Sequence, residues 1–176
     1  KASYELLRRL STDTTETEPV KGLVIGNVQS GKTANMAGLM AMAADNGFNY
    51  FIVLSGVIES LRKQTEKRLY NDLHGAGEGN LNWTLIENPS LRTQTTNPTH
   101  NISSFRLGEN DRTRYFSVCL KNSRRLQQLK KWLYSDENKA KQLKILIIDD
   151  EADQASINTN NIEEEDPTKI SKCIQE

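Results

Sequence analysis

Gly22-Leu-Val-Ile-Gly26-Asn-Val-Gln-Ser-Gly31-Lys32-Thr33-Ala-Asn-Met-Ala-Gly-Leu-Met-Ala-Met-Ala-Ala-Asp-Asn46-Gly47 is the stretch whose reading decides the fold. Its first five residues are a short apolar run between glycines, as in a strand buried on both faces. Its last fourteen are dense in Ala, Met and Leu and stop at Gly47, which predicts a helix over 33–46 with a glycine at its C-terminal cap. Between them, Gly26, Asn27, Val28, Gln29, Ser30, Gly31, Lys32 and Thr33 fill the pattern G-x-x-x-x-G-K-[ST]. Such a loop turns successive backbone N–H groups towards one cluster of phosphate oxygens, and the helix behind it presents its positive end to the same charge. Lys32 would reach the β- and γ-phosphates, the Thr33 hydroxyl would hold Mg²⁺, and Ala34 completes the loop's nucleotide contacts. Chance supplies this pattern in about one chain of this size in a hundred or fewer.

Outward from this centre, apolar runs and helical spacings alternate. Strands are expected at 50–54, 82–87, 115–120 and 144–148. Ile58, Leu61, Thr65, Leu69 and Leu73 recur at helical spacing, and so do Leu126, Leu129, Trp132 and Leu133 within 123–135. Residues 88–110, rich in Thr, Asn and Pro, read as an irregular surface insert. At the start, a short helix over 3–10 leads into a Thr/Glu-rich linker; at the end, a polar loop precedes a helix from Asp166. Alternating strand and helix predicts an α/β fold: a three-layer αβα sandwich around a mainly parallel sheet, with ligands at the carboxyl ends of the strands. The expected organisation is a helix and linker over 1–19, then one P-loop NTPase domain over 20–176. The chain begins with Lys1 and stops within an expected helix at Glu176, so it reads as a piece of something longer, incomplete at its C-terminus.

Lys144-Ile-Leu-Ile-Ile148 runs straight into Asp149-Asp-Glu-Ala-Asp153. A carboxylate ending a buried strand can orient the Mg²⁺ shell, and the next Glu can polarise the attacking water. Asp150 is assigned to the metal and Glu151 to the water, with Asp149 as the neighbouring alternative for the metal. Alone, such a cluster is usually a solvated loop; paired with the lysine loop it is half of one site. Ser55 and Gly56, then Arg62, Lys63 and Arg68, and after the next strand Lys121, Asn122 and Arg124, form polar-basic groups at strand ends where a phosphodiester backbone could lie.

The global composition favours no polyanion, because Lys plus Arg and Asp plus Glu both count 23. Hydrophobic content of 36% and a mean hydropathy of −0.65 point to long solvated loops. No apolar run approaches the roughly 18 to 20 residues of a membrane span, and no signal peptide is visible, so a cytoplasmic protein is expected. Cys119 lies in an apolar run and is expected to be a buried reduced thiol; Cys173 is far from it in sequence.

Asp150-Glu-Ala-Asp153 together with the lysine loop resembles the first motor domain of superfamily 2 helicases. That resemblance implies a RecA-like fold, ATP and Mg²⁺ as ligands, and hydrolysis coupled to movement on DNA. Residues 22–39, Ile52-Val-Leu-Ser-Gly56, Leu61-Arg-Lys-Gln-Thr65 and Ile147-Ile-Asp-Asp-Glu-Ala-Asp-Gln-Ala-Ser156 look more closely like the Z-one domain family. Its members are assigned as endonucleases of bacterial restriction and phage-defence systems, whose other proteins become candidate partners. The chain holds no second motor domain, so the resemblance implies nucleotide binding here more firmly than turnover. Two other functions stay open: a nuclease with its own metal site, for which the acidic run Glu163-Glu-Glu-Asp166 is a poor candidate, and a nucleotide-dependent switch acting on a protein.

Overall fold

The computed structural model describes residues 2–8, 22, 31–75, 81–150 and 152. Residues 23–26 of the expected strand, the loop residues 26–30, Glu151, Asp153 and the C-terminal helix lie outside them. Helix α1 (Ala2–Leu7) is followed among the described residues by α2 (Lys32–Asp45), β1 (Tyr50–Ser55), α3 (Glu59–Gly75) and β2 (Asn82–Leu85). Next come α4 (Leu91–Thr96), 3-10 turns at Pro98–His100 and Ile102–Ser104, β3 (Thr113–Leu120), α5 (Ser123–Leu133), α6 (Glu137–Ala140) and β4 (Ile145–Asp149).

The four strands form one sheet in the order β2-β3-β1-β4, and every pairing is parallel. β1 is central, and all six of its residues are buried. Side chains alternate along a strand, and the two sets feed two cores. On one face Phe51, Val53, Phe116, Val118 and Leu146 meet Met36, Met40, Ala43 and Ala44 of α2 and Leu69 and Leu73 of α3. On the other, Tyr50, Ile52, Leu54, Tyr115 and Cys119 meet Leu126, Leu129 and Trp132 of α5, with Ile102 and Phe105. The architecture is therefore α/β with helices on both faces of a parallel sheet.

The crossovers share one hand. From β1 the chain passes over the α2 face by α3 to reach β2, two positions to one side. From β3 it passes over the opposite face by α5 to reach β4, two positions to the other side. Reversing both face and direction preserves handedness, as parallel crossovers require.

α2 ends as its sequence predicts. Gly47 has φ 93°, its N–H bonds to the Ala44 carbonyl at 3.2 Å, and the Phe48 N–H bonds to the Ala43 carbonyl at 3.1 Å. This pair of bonds closes the last turn and needs a left-handed residue. The chain then enters β1 at once, so the C-terminal end of α2 sits at the edge where the strands begin. At about 1.5 Å per residue the helix spans about 21 Å, close to a six-residue strand at about 3.3 Å per residue. Lys32 is thereby carried towards the edge where the strands end.

Residues 88–110 depart from the expected surface insert. Ile102 and Phe105 are buried, and the Phe105 ring stacks on Tyr115 with centroids 3.7 Å apart and planes 2° from parallel. Side-chain caps organise the segment. Ser90 and Thr93 form a reciprocal capping box on α4, and Asn97 and Asn101 each cap a following 3-10 turn. α3 also departs from its apolar spacing: Ile58 and Leu61 are exposed, and the inward place near its start is taken by Arg62.

Candidate nucleotide site

Gly31 caps the N-terminus of α2 with φ 71° and ψ 32°. A Cβ there would meet nothing within 4 Å, so glycine is required by the backbone angle and not by space; in L-residues that angle costs about 1 to 2 kcal/mol. The Asn35 N–H then bonds to the Gly31 carbonyl at 3.1 Å and starts the helix. Lys32 is its first residue and is exposed, Thr33 is half-buried, and Ala34 is exposed. The N–H groups of a first turn have no partner within the helix, so this end is polarised to receive negative charge.

The acidic strand ends at the same edge. The start of β4 is fastened to β1 by buried Asn49, whose Nδ2 donates to the Gln142 carbonyl at 2.9 Å. Its Oδ1 accepts from the Lys144 N–H at 2.8 Å. β4 then runs beside β1 until the Asp150 N–H bonds to the Leu54 carbonyl at 2.9 Å. Leu146 and Ile148 belong to the core under α2, whereas Ile145 belongs to the opposite core. By alternation Asp150 follows Ile148 to the α2 face and Asp149 follows Ile145 to the other.

Asp149 accordingly does not share a face with α2. Its Oδ1 lies 3.0 Å from Nζ of Lys121, whose side chain is 0% exposed. Lys121, the residue after β3, is also tied through its N–H to the Ser55 and Gly56 carbonyls, both at 3.1 Å. Asp149, the alternative for the metal, is paired instead with a buried ammonium on the face opposite α2.

The expected phosphodiester contacts divide into two sets. Ser55, Gly56, Arg62 and Lys121 are buried and form no contact surface. Arg62 is 2% exposed; its Nη1 donates to the Val118 carbonyl at 3.1 Å and also pairs with Glu66. Its Nε and Nη2 donate to Glu59 at 2.9 to 3.1 Å. β2 has already ended beside this part of β3, so the guanidinium occupies the vacated edge. Lys63, Arg68, Asn122 and Arg124 are exposed, although Asn122 is engaged in capping α5, its side chain accepting from the N–H groups of Arg124 and Arg125. The Glu59 carboxyl is held below its usual range chiefly by the Arg62 hydrogen bonds, with Lys63 and Arg125 adding to the effect. Glu59 at the start of α3 thus feels the charge of Arg125 at the start of α5 across the strand-end rim.

No family model, curated protein or solved structure matches this chain.

Among the described residues no three His, Cys, Asp or Glu side chains cluster as a metal cage. Mg²⁺ is commonly held by one or two protein oxygens, with substrate phosphates and water supplying the rest. No helix among the described residues is long and apolar enough to cross a membrane.

Proposed function

We propose that the chain is the Mg²⁺-dependent ATP-binding and hydrolysing module of a RecA-like, helicase-type motor that works on DNA, in the setting of a restriction or phage-defence endonuclease system. One observation carries the nucleotide part: a left-handed Gly31 opens α2 with Lys32 exposed at its first turn, on the face to which alternation also assigns Asp150. In this reading the backbone of Gly26–Gly31 would contact the phosphates, Lys32 would neutralise the β- and γ-phosphate charge, and Thr33 and Asp150 would hold the magnesium. Bound magnesium offsets charge on the transferring phosphoryl group. Glu151 would polarise the attacking water.

The DNA part rests on the helicase resemblance and on a reduced basic set: Lys63 and Arg124, with Arg125 beside them and Arg68 further along α3. From Lys63 to Arg68 is five residues, about 7.5 Å along the axis away from the rim. A nucleotide-dependent switch acting on a protein is favoured by one feature of the same rim, where Val57, Ile58 and Leu61 are 55%, 53% and 44% exposed. Isolated apolar side chains are ordinary on a surface, but three between Val57 and Leu61 suit a protein interface.

Calorimetric titration with Mg²⁺·ATP tests the nucleotide part, with Lys32→Ala expected to weaken binding at least tenfold; equal affinity for both proteins would end it. DNA affinity across a salt series tests the second part. Lys63→Glu with Arg124→Glu is expected to lower both the affinity and the salt slope. Unchanged DNA binding, together with a partner protein that binds the wild type but not Leu61→Asp, would favour the switch.

A further inference from the structure

We propose that the buried ion pair between Lys121 and Asp149 is a positioning device: it claims the first of two tandem aspartates for the far face of the sheet and so delivers the second, Asp150, to the face of α2. The inference rests on the nucleotide-binding reading above and extends it to two residues that touch neither nucleotide nor metal.

Three observations carry it. First, Asp149 and Asp150 are chemically identical neighbours at the end of a strand whose preceding residues, Ile145 to Ile148, are all apolar. A displacement by one residue exchanges the faces of every side chain, and Ile-Leu-Ile-Ile would serve either face. Asn49 fixes the chain at Gln142 and Lys144, just before β4, but a bulge further along the strand would be enough to exchange the carboxylates. Second, the contact that breaks this ambiguity is asymmetric. Lys121 is fully buried on the α5 side and its Nζ lies 3.0 Å from Asp149 Oδ1. Third, Lys121 cannot follow the strand if it moves. Its N–H is bonded to the Ser55 and Gly56 carbonyls, so the ammonium reaches from β3 across the end of β1 to β4 from a fixed origin.

Burying an ammonium and a carboxylate is costly, and an apolar pair of similar volume often serves stability as well or better; the best-attested use of such pairs is to fix registry. The placement fits that use, since the pair lies where the chain leaves the sheet and where an error of one residue would remove a metal ligand.

The test is the ratio of ATP affinities in Mg²⁺ and in EDTA, measured on the full chain together with its thermal unfolding. In the wild type the ratio is expected to be tenfold or more, and Asp150→Asn should bring it close to one. Lys121→Met with Asp149→Leu should unfold near the wild-type temperature and keep the wild-type affinity in EDTA, yet lose most of the magnesium enhancement. A folded double variant with the full wild-type ratio overturns the inference. Asp149→Asn preserves shape and an acceptor for Lys121 and guards against loss of fold in the double variant: it should retain most of the ratio. If it loses as much as Asp150→Asn, Asp149 is itself a metal ligand and the positioning role is wrong. A wild-type chain that binds no nucleotide in either buffer overturns the underlying reading and this inference with it, an outcome distinct from both others.

Discussion

Replacing Arg62 by alanine is expected to damage the fold rather than any ligand contact, and the size of the effect follows from what the guanidinium touches. It is 2% exposed and pairs with Glu66, which is 12% exposed, with half-exposed Glu59, and with the Val118 carbonyl. Without it, Glu66 is left in a shielded site beside Glu59 and Glu87, and the carbonyl loses its partner. Breaking a buried pair in this way costs about 3 to 5 kcal/mol, a large share of the roughly 5 to 15 kcal/mol available to a domain. The exposed Glu59 arm adds little, being screened by water. The cost should also depend on pH. Burial already raises the Glu66 carboxyl above its usual range, and Arg62 acts against that rise; with Arg62 gone the folded value climbs further. A carboxyl raised in the folded state contributes stability at low pH that is lost as pH increases through its folded value. Arg62→Ala should therefore be less damaging near pH 5 than near pH 8. Urea unfolding at the two pH values measures this directly. A loss below about 1 kcal/mol at both would refute the reasoning and leave Arg62 as an ordinary surface cation.

Two further outcomes follow from the described residues. Gly31→Ala meets no steric obstacle, so it should lower stability by only about 1 to 2 kcal/mol through its left-handed angle, while nucleotide affinity falls by a larger factor; calorimetry and urea unfolding on one protein separate the two. Burial pushes the Cys119 thiol up to about 12 and raises Tyr50 well above its ordinary value. Both are raised in the folded state, so the stability they contribute is intact below the unfolded thiol value near 9 and is lost as pH rises towards 12. An unfolding midpoint unchanged from pH 8 to 11 would contradict this. In the native protein at neutral pH, Cys119 should resist alkylation until the chain unfolds.

The sheet was legible because its strands are short apolar runs with turn residues between them, and the end of α2 was legible because Gly47 is required there by its backbone angle. The burial of Arg62 and Lys121 was not. A charged residue at a strand end or helix start reads as solvated unless its partner is known, and Val118 lies 56 residues from Arg62. The same holds around the start of α3, where Ile58 and Leu61 fit the helical period but are exposed while Arg62 is buried. Residues 88–110 hid their role because capping Ser and Asn residues set their shape while Ile102 and Phe105, at no regular spacing, supply the core. Alternation alone separates Asp149 from Asp150, but both faces of β4 are apolar, so the sequence could not tell which face belonged to α2.

The central claim is that residues near 32 and near 150 face one triphosphate and its metal. Paramagnetic broadening of backbone amide resonances by Mn²⁺·ATP tests it most directly. Lys32, Thr33, Ala34 and Asp150 are expected to broaden together at substoichiometric Mn²⁺ while Gly75 and Leu85 stay sharp. Broadening at Asp150 with none at Lys32–Ala34, or at Lys32–Ala34 with none at Asp150, would contradict it.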